Sequence, residues 1–262
     1  MSEAAFNGLR RVFNALLASG LASQNLADML ADRAFDLFEA NIDAQTAHLP
    51  TLACAKGCPS CCALRVTATA PEIFLLARYA RQIDQRMPAT ALGSLSRRIK
   101  LANRATRGLS ETERMKLRQP CPFVVRGGCI IHPARPLACR GHASFDRRAC
   151  AQAMAGREVD VPVSAPHVAL RALVQDSLRD ALGAAGLASG LYELNQGLVL
   201  ALDAPERERA WRDGQDSLAP ARIEASTTAA QTDAVLWSRA AGDASIRDEV
   251  PAAEPGRQSP MA

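Results

Sequence analysis

The sequence predicts an all-α protein, mainly helix with short irregular or β pieces, built around a cysteine-rich core and closed by a disordered C-terminal tail. Three observations carry this expectation. Alanine is abundant and aromatic residues are only 4% of the 262, a balance that favours thin, closely packed helices over sheets. Apolar residues recur at helical spacing through most of the chain on either side of residues 120–150. From Asp213 to the end, Ala, Asp, Glu, Arg, Ser and Pro dominate without a clean period. Apolar residues make up 48%, enough to bury a core.

Residues 1–50 read as two amphipathic helices folding back as a hairpin. Phe6, Leu9, Phe13, Leu16 and Leu17 form the first stripe; Leu26, Met29, Leu30, Ala34, Leu37, Phe38 and Ile42 form the second, after a break at Gly20 to Gln24. Phe35 falls off that stripe. Leu64 to Thr69 is a short strand or extended connector. A helix then starts at Pro71, with Thr69 or Ala70 as cap, Glu72 complementing the dipole, and Ile73, Leu76, Tyr79, Ala80 and Ile83 inward until Pro88. The next helix runs from about Ser94 to Arg107, with Leu95, Ile99, Ala102 and Ala105 inward and Arg97, Arg98, Lys100, Arg104 and Arg107 on a solvated face. Ser110-Glu111-Thr112-Glu113 is a capping-box signature for a short third helix ending before Pro120.

Residues 120–150 hold four cysteines, five arginines and four prolines without a period, so regular structure throughout is excluded and a cross-link is expected to hold the segment. Val161 to Pro166 is an extended connector. Pro166 opens a helix whose apolar face is Leu170, Leu173, Val174, Leu178, Ala181 and Leu182, ended by Gly183 and Gly186. A further helix is expected from about Leu187 to Leu202, followed by a polar segment to Trp211.

The chemistry lies in eight cysteines, all between positions 54 and 150. Four of them, Cys54, Cys58, Cys61 and Cys62, fall within nine residues, and Cys121, Cys129, Cys139 and Cys150 follow. Thiolates bind zinc, copper(I) and iron–sulfur clusters, and x3 and x2 spacings let one tight turn aim several sulfurs at one point. Successive side chains of an extended chain point to opposite sides, so Cys61 and Cys62 do not readily serve one mononuclear ion. Either one of them stands outside the coordination sphere or the site has more than one metal. Arg126, Arg135, Arg140, Arg147 and Arg148, set against the single acid Asp146, would neutralise a four-thiolate centre of net charge about −2, or alternatively form an anion-binding or nucleic-acid patch; their places between ligands favour the first. The chain divides accordingly into an N-terminal helical hairpin (1–50), a cysteine-cluster metal-binding domain (51–151), C-terminal helices packing on it (152–212) and the tail (213–262).

The pattern Cys54-x3-Cys58-x2-Cys61-Cys62, the Pro71-Glu72 helix start, Cys121-Pro122-Phe123, Gly128-Cys129 and Arg135-Pro136-x2-Cys139-Arg140 resembles the bacterial cysteine-cluster proteins with a zinc- or iron-chelating domain (YkgJ-like family). The resemblance covers roughly residues 50–150 and implies a metal-binding domain whose metal and activity are mostly unassigned, although related clusters occur in flagellin lysine methylases. His132 stands where that family commonly has tyrosine; a histidine there is either a ligand or, the favoured reading, fills the tyrosine's packing and hydrogen-bonding place. Cys150 lies outside the family's core motif.

Three functional classes follow: a metal-binding protein with a structural or storage-like zinc or iron site (including a 4Fe-4S cluster), an iron–sulfur enzyme of group-transfer or redox type, and a zinc-based nucleic-acid or protein-binding module. Cys54-x3-Cys58-x2-Cys61 also matches radical-SAM spacing, but residues 64–118 lack the alternating strands and helices that chemistry needs. No phosphate loop, Ser/His/Asp set or carboxylate pair stands out; His48, His132, His142 and His167 are scattered, with His48 and His167 expected at the surface. A net charge of +4 without Lys/Arg runs gives no indication of nucleic acid. No segment reaches the roughly 18 apolar residues of a membrane span. Arg10-Arg11-Val12-Phe13 resembles a twin-arginine signal, but its apolar run is short, so a reducing cytoplasm is expected, where clustered cysteines serve metals or redox chemistry more often than disulfides.

Overall fold

A computed structural model describes residues 3–55, 57–86 and 93–223. Ten helices stand among them: α1 (Glu3–Gly20), α2 (Leu26–Thr46), α3 (Ala70–Arg86), α4 (Leu95–Thr106), α5 (Glu111–Leu117), α6 (Leu137–Gly141), α7 (Arg147–Met154), α8 (Ala165–Ala184), α9 (Leu194–Asp203) and α10 (Arg207–Arg212). The strands are two residues each. β1 (Thr67–Ala68) pairs antiparallel with β4 (Tyr192–Glu193), and β2 (Val124–Val125) with β3 (Gly128–Cys129). The mainly helical architecture expected from composition is the one observed. No described helix is long and apolar enough to cross a membrane.

Helix α8 is the spine of one half of the core. Its stripe of Leu170, Leu173, Val174, Leu178, Ala181 and Leu182 is almost wholly buried against α1 and α2, which contribute Leu9, Phe13 and Leu17, and Leu30, Leu37 and Phe38. Helix α3 packs on α2 and carries the core over to α9 and α4. Trp211 of α10 closes this half, its ring 5.7 Å from that of Phe74. Ser110 and Glu113 form the capping box of α5, as the sequence predicts.

Several expectations are corrected. The helix expected over Leu187–Leu202 begins only at Leu194, because Tyr192 and Glu193 are drawn into the ladder with β1 and Leu194 N donates to Val66 O. Ala105 is exposed and Thr106 is buried in its stead, since the inward stripe of α4 runs Leu95, Ile99, Ala102, Thr106, and the Thr106 hydroxyl is satisfied by Ala102 O. Phe35 is buried, because the Arg140 guanidinium lies 4.2 Å above its ring. The segment expected to lose structure at Asp213 remains ordered to Ile223: Leu218 and Ala221 are buried and Asp216 accepts the Tyr192 hydroxyl at 2.7 Å. The rest of the expected tail, 224–262, and the Pro88 stop lie outside the described residues.

Asp28, Asp32 and Asp36 follow one another at four-residue spacing on α2. Burial pushes the Asp32 carboxyl up to about 6, the charges of Asp28 and Asp36 add to this, and Arg140 and Arg78 oppose it. A folded-state pKa above the unfolded value means that Asp32's contribution to stability is complete below about pH 3.8 and is lost as pH rises through about 6. Asp32→Asn is therefore expected to stabilise the protein at pH 7.5, by no more than about 1 kcal/mol because the site is partly solvated, and to give no advantage at pH 4. Urea unfolding at the two pH values checks this; equal effects at both would reject it.

Candidate functional site

The cysteines are positioned by short elements pinned onto the helical core. Ala53 N donates to Ser144 O at 3.0 Å, and Ser144 N donates to Cys54 Sγ at 3.3 Å, so the first cluster begins against the loop between α6 and α7. Cys58 N closes a turn onto Ala55 O at 3.0 Å around Gly57, whose φ of 89° suits a residue without a Cβ. Cys61 and Cys62 do not lie in extended chain. They sit in a 3-10 turn, Ser60–Ala63, which corrects the extended geometry on which their divergence was expected.

The second cluster is carried by three elements. Cys121 N donates to Cys62 O at 2.7 Å, a direct backbone tie between the clusters. Cys129 stands opposite Val124 in the β2–β3 hairpin, whose turn residues Arg126 and Gly127 both have positive φ (49° and 79°), the geometry of a two-residue type I′ turn. Cys139 lies on α6, held from two sides. Glu72 accepts Leu137 N at 2.7 Å, and Gly141 lets α6 approach α8 so closely that a Cβ there would stand 2.5 Å from Arg171 Cβ. Cys150 lies on α7, which Asp146 caps through Arg148 N and Ala149 N and which packs on the 3-10 turn of Cys61 and Cys62.

All eight cysteines are free thiols, with Cys54 exposed and the other seven partly buried. Burial pushes the Cys121 thiol up to about 11; Cys129 and Cys61 add to the effect, against a hydrogen bond from the Phe123 backbone and the charge of Arg98. Burial likewise drives Cys139 far up, with Cys121, Cys61 and Cys129 adding and Arg135 opposing. Cys61 is pushed far up first by its hydrogen bond to Cys62 and then by burial, again against Arg135. Cys129 is raised by burial and by Cys61 against the Ile131 backbone and Arg135. At Cys54, burial raises the thiol, the Ser144 amide opposes it, and Cys61, Cys58 and Cys150 raise it further. Among the described residues, no three His, Cys, Asp or Glu side chains stand close enough together to hold a metal ion. Thiols are the donors that soft or borderline cations prefer.

The arginines divide differently from expectation. The charge of Arg135 opposes the upward shifts of Cys61, Cys129 and Cys139. Arg126, Arg147 and Arg148 are exposed, on the hairpin turn and the first turn of α7. Arg140 is absorbed into the fold, donating to Arg135 O, Pro133 O and Glu39. Its place is taken by Arg98 of α4, which donates to Val124 O at 2.8 Å and acts on Cys121. Assigned to a solvated face from the sequence, Arg98 sits three residues after Leu95 and four before Ala102, which was the legible sign that it flanks the buried stripe. Ser144, whose amide meets Cys54, left no sign in the sequence.

His167 is buried, 8% exposed, with Nδ1 paired to Ser164 Oγ at 2.8 Å, which corrects its surface assignment. His48 is exposed. His132 Nε2 lies 3.2 Å from Arg135 Nη1. Beside the thiols, a cleft of about 20 Å³, room for about one water, is lined by Cys62, Cys121, Gln119 and Asn195 and by the buried ion pair of Arg114 and Glu193 at 2.9 Å.

No protein-family profile, curated protein or solved structure matches the chain.

Proposed function

We propose that this is a metal-binding protein of the cysteine-cluster kind its motifs resemble, holding zinc or an iron–sulfur centre in a reducing cytoplasm. The observation that carries the reading is the backbone pairing of two cysteine-bearing segments distant in sequence, Cys121 N to Cys62 O at 2.7 Å and Ala53 N to Ser144 O at 3.0 Å. Arg135 and Arg98 support it as guanidinium groups next to thiolates, able to balance the negative charge a thiolate centre carries. When bound, the metal supplies a cross-link between residues 54–62 and 121–150, worth on the order of 10 kcal/mol in small zinc domains. The protein's own residues supply the rest: Ser144 N donates to Cys54 Sγ, and seven of the eight thiols are partly buried.

Anaerobic purification followed by metal analysis and an absorption spectrum tests this. Stoichiometric zinc in a colourless protein, or iron and sulfide in a brown one, is the expected result. Removing the metal is expected to leave the helical signal largely intact, because α1, α2 and α8, and α3, α4 and α9, pack without thiols. Amide exchange should rise selectively over residues 53–64 and 121–150. A protein that takes up neither metal and shows the same exchange pattern with and without them would overturn the reading.

A further inference from the structure

We propose that the exposed face of α4 is the docking surface for this chain's own C-terminal segment, residues 224–262, held by charge attraction and by the apolar stretch Val235-Leu236-Trp237. The distribution of charge points to it. Residues 94–126 carry nine Lys and Arg against two acids, whereas residues 224–262 carry six acids against three Arg. The other 190 residues hold nineteen of each sign, so these two segments, opposite in sign, account for the whole net charge of +4.

The basic segment turns its charges outward. While Leu95, Ile99, Ala102 and Thr106 are buried and α4 packs on α3 and α9, Arg97, Leu101 and Arg104 recur at four- and three-residue spacing on the opposite side, all exposed. Arg107 follows at the end of the helix, also exposed. None of these three arginines pairs with an acid among the described residues, whereas Lys100 is taken by Asp203 and Arg114 by Glu193. The segment's own acids are occupied: Glu111 accepts Arg65 N, and Glu113 closes the capping box on Ser110. The surface is also partly apolar. Three large apolar side chains are exposed among the described residues, and two of them, Leu101 (49%) and Leu117 (46%), lie in this segment. A phosphate backbone gives a leucine nothing to bury against; an acidic segment in which Val235, Leu236 and Trp237 follow Asp233 within four residues matches both characters.

The described chain ends beside this surface. Ile223 N donates to Leu191 O at 2.8 Å, next to β4. Glu193 of β4 pairs with Arg114 of α5, and Arg114 Nη2 also donates to Thr106 O, in the last turn of α4, at 3.2 Å. Ten residues from Ile223 to Asp233 span up to about 35 Å, and twelve helical residues are about 18 Å long, so the acidic stretch reaches along the whole of α4. Tethering gives the segment an effective concentration of roughly millimolar order, enough for an attraction too weak to hold a separate peptide.

The chain has two tryptophans, Trp211 and Trp237, so full-length protein carrying Trp211→Phe reports on the C-terminal segment alone. Acrylamide quenching of Trp237 fluorescence at low salt is expected to be several-fold weaker than in the same protein with Arg97→Glu and Arg104→Glu, and to approach that variant's level when salt screens the attraction. Because Trp211 is buried in the core, a second measurement leaves it in place: trypsin cleavage after Arg239 and Arg247, followed by mass spectrometry, should be several-fold slower in the unaltered protein than in Arg97→Glu/Arg104→Glu at the same salt. Quenching and cleavage that ignore charge reversal would overturn the proposal, whether or not duplex DNA or anionic vesicles bind the face. Protection that is lost on dilution would also overturn it, since the segment would then be supplied by a second copy.

Discussion

Glu72→Ala is expected to destabilise the protein by about 3–5 kcal/mol in urea unfolding. The side chain is completely buried. One carboxylate oxygen accepts both Thr69 N at 2.7 Å and Thr69 Oγ at 2.8 Å; the other accepts Leu137 N at 2.7 Å. Burial pushes its pKa up, while these donors and Arg140 pull it back. Truncation strands three donors in the interior, each costing about 1–3 kcal/mol. It also releases the first turn of α6, two residues before Cys139, so looser metal retention should accompany the loss of stability. Glu72→Gln keeps the volume but turns an amide NH2 toward a donor, and should fall between wild type and alanine. A loss below about 1 kcal/mol for Glu72→Ala would mean that α6 is held by its apolar contacts alone.

Arg140→Ala is expected to cost about 3 kcal/mol. Its guanidinium is 5% exposed, donates from Nε to Arg135 O at 2.9 Å, bonds Pro133 O and Glu39, and covers the face of Phe35. Half of that ion pair is solvated, since Glu39 is 42% exposed, which keeps the cost near the lower end for breaking a buried pair. Arg140→Lys should recover little, because an ammonium cannot reproduce a fork that spans two carbonyls, a carboxylate and a ring. Thermal unfolding of the three proteins decides the matter. A lysine variant as stable as wild type would show that charge alone is needed at this position.

These two residues also illustrate what could be read in advance. Glu72 was recognisable as a first-turn acid on α3, because its place after Pro71 is a local signal; its second partner, Leu137, is 65 residues away and had no local trace. Arg140 sits beside Cys139 and invited a role in neutralising thiolates, yet its chemistry turns toward α2 through Phe35 and Glu39. The stripes of α1, α2, α3 and α8 were legible because helical periodicity is a property of neighbouring residues. Tyr192 and Glu193 were misread as helix because a two-residue ladder with Thr67 and Ala68 has no periodic signature of its own.

By itself the sequence determined that this protein is mainly helical, where most of its helices run, and that eight thiols lie in two clusters between positions 54 and 150. Each of these is written in local spacing. Only the tertiary structure decided that Cys121 pairs with Cys62 through the backbone, that Arg140 turns away to Glu39 and Phe35, and that α7 packs on the turn of Cys61 and Cys62. Those relations depend on how helices distant in the chain pack together, and packing is settled by burial summed over the whole core, which no short stretch of sequence contains.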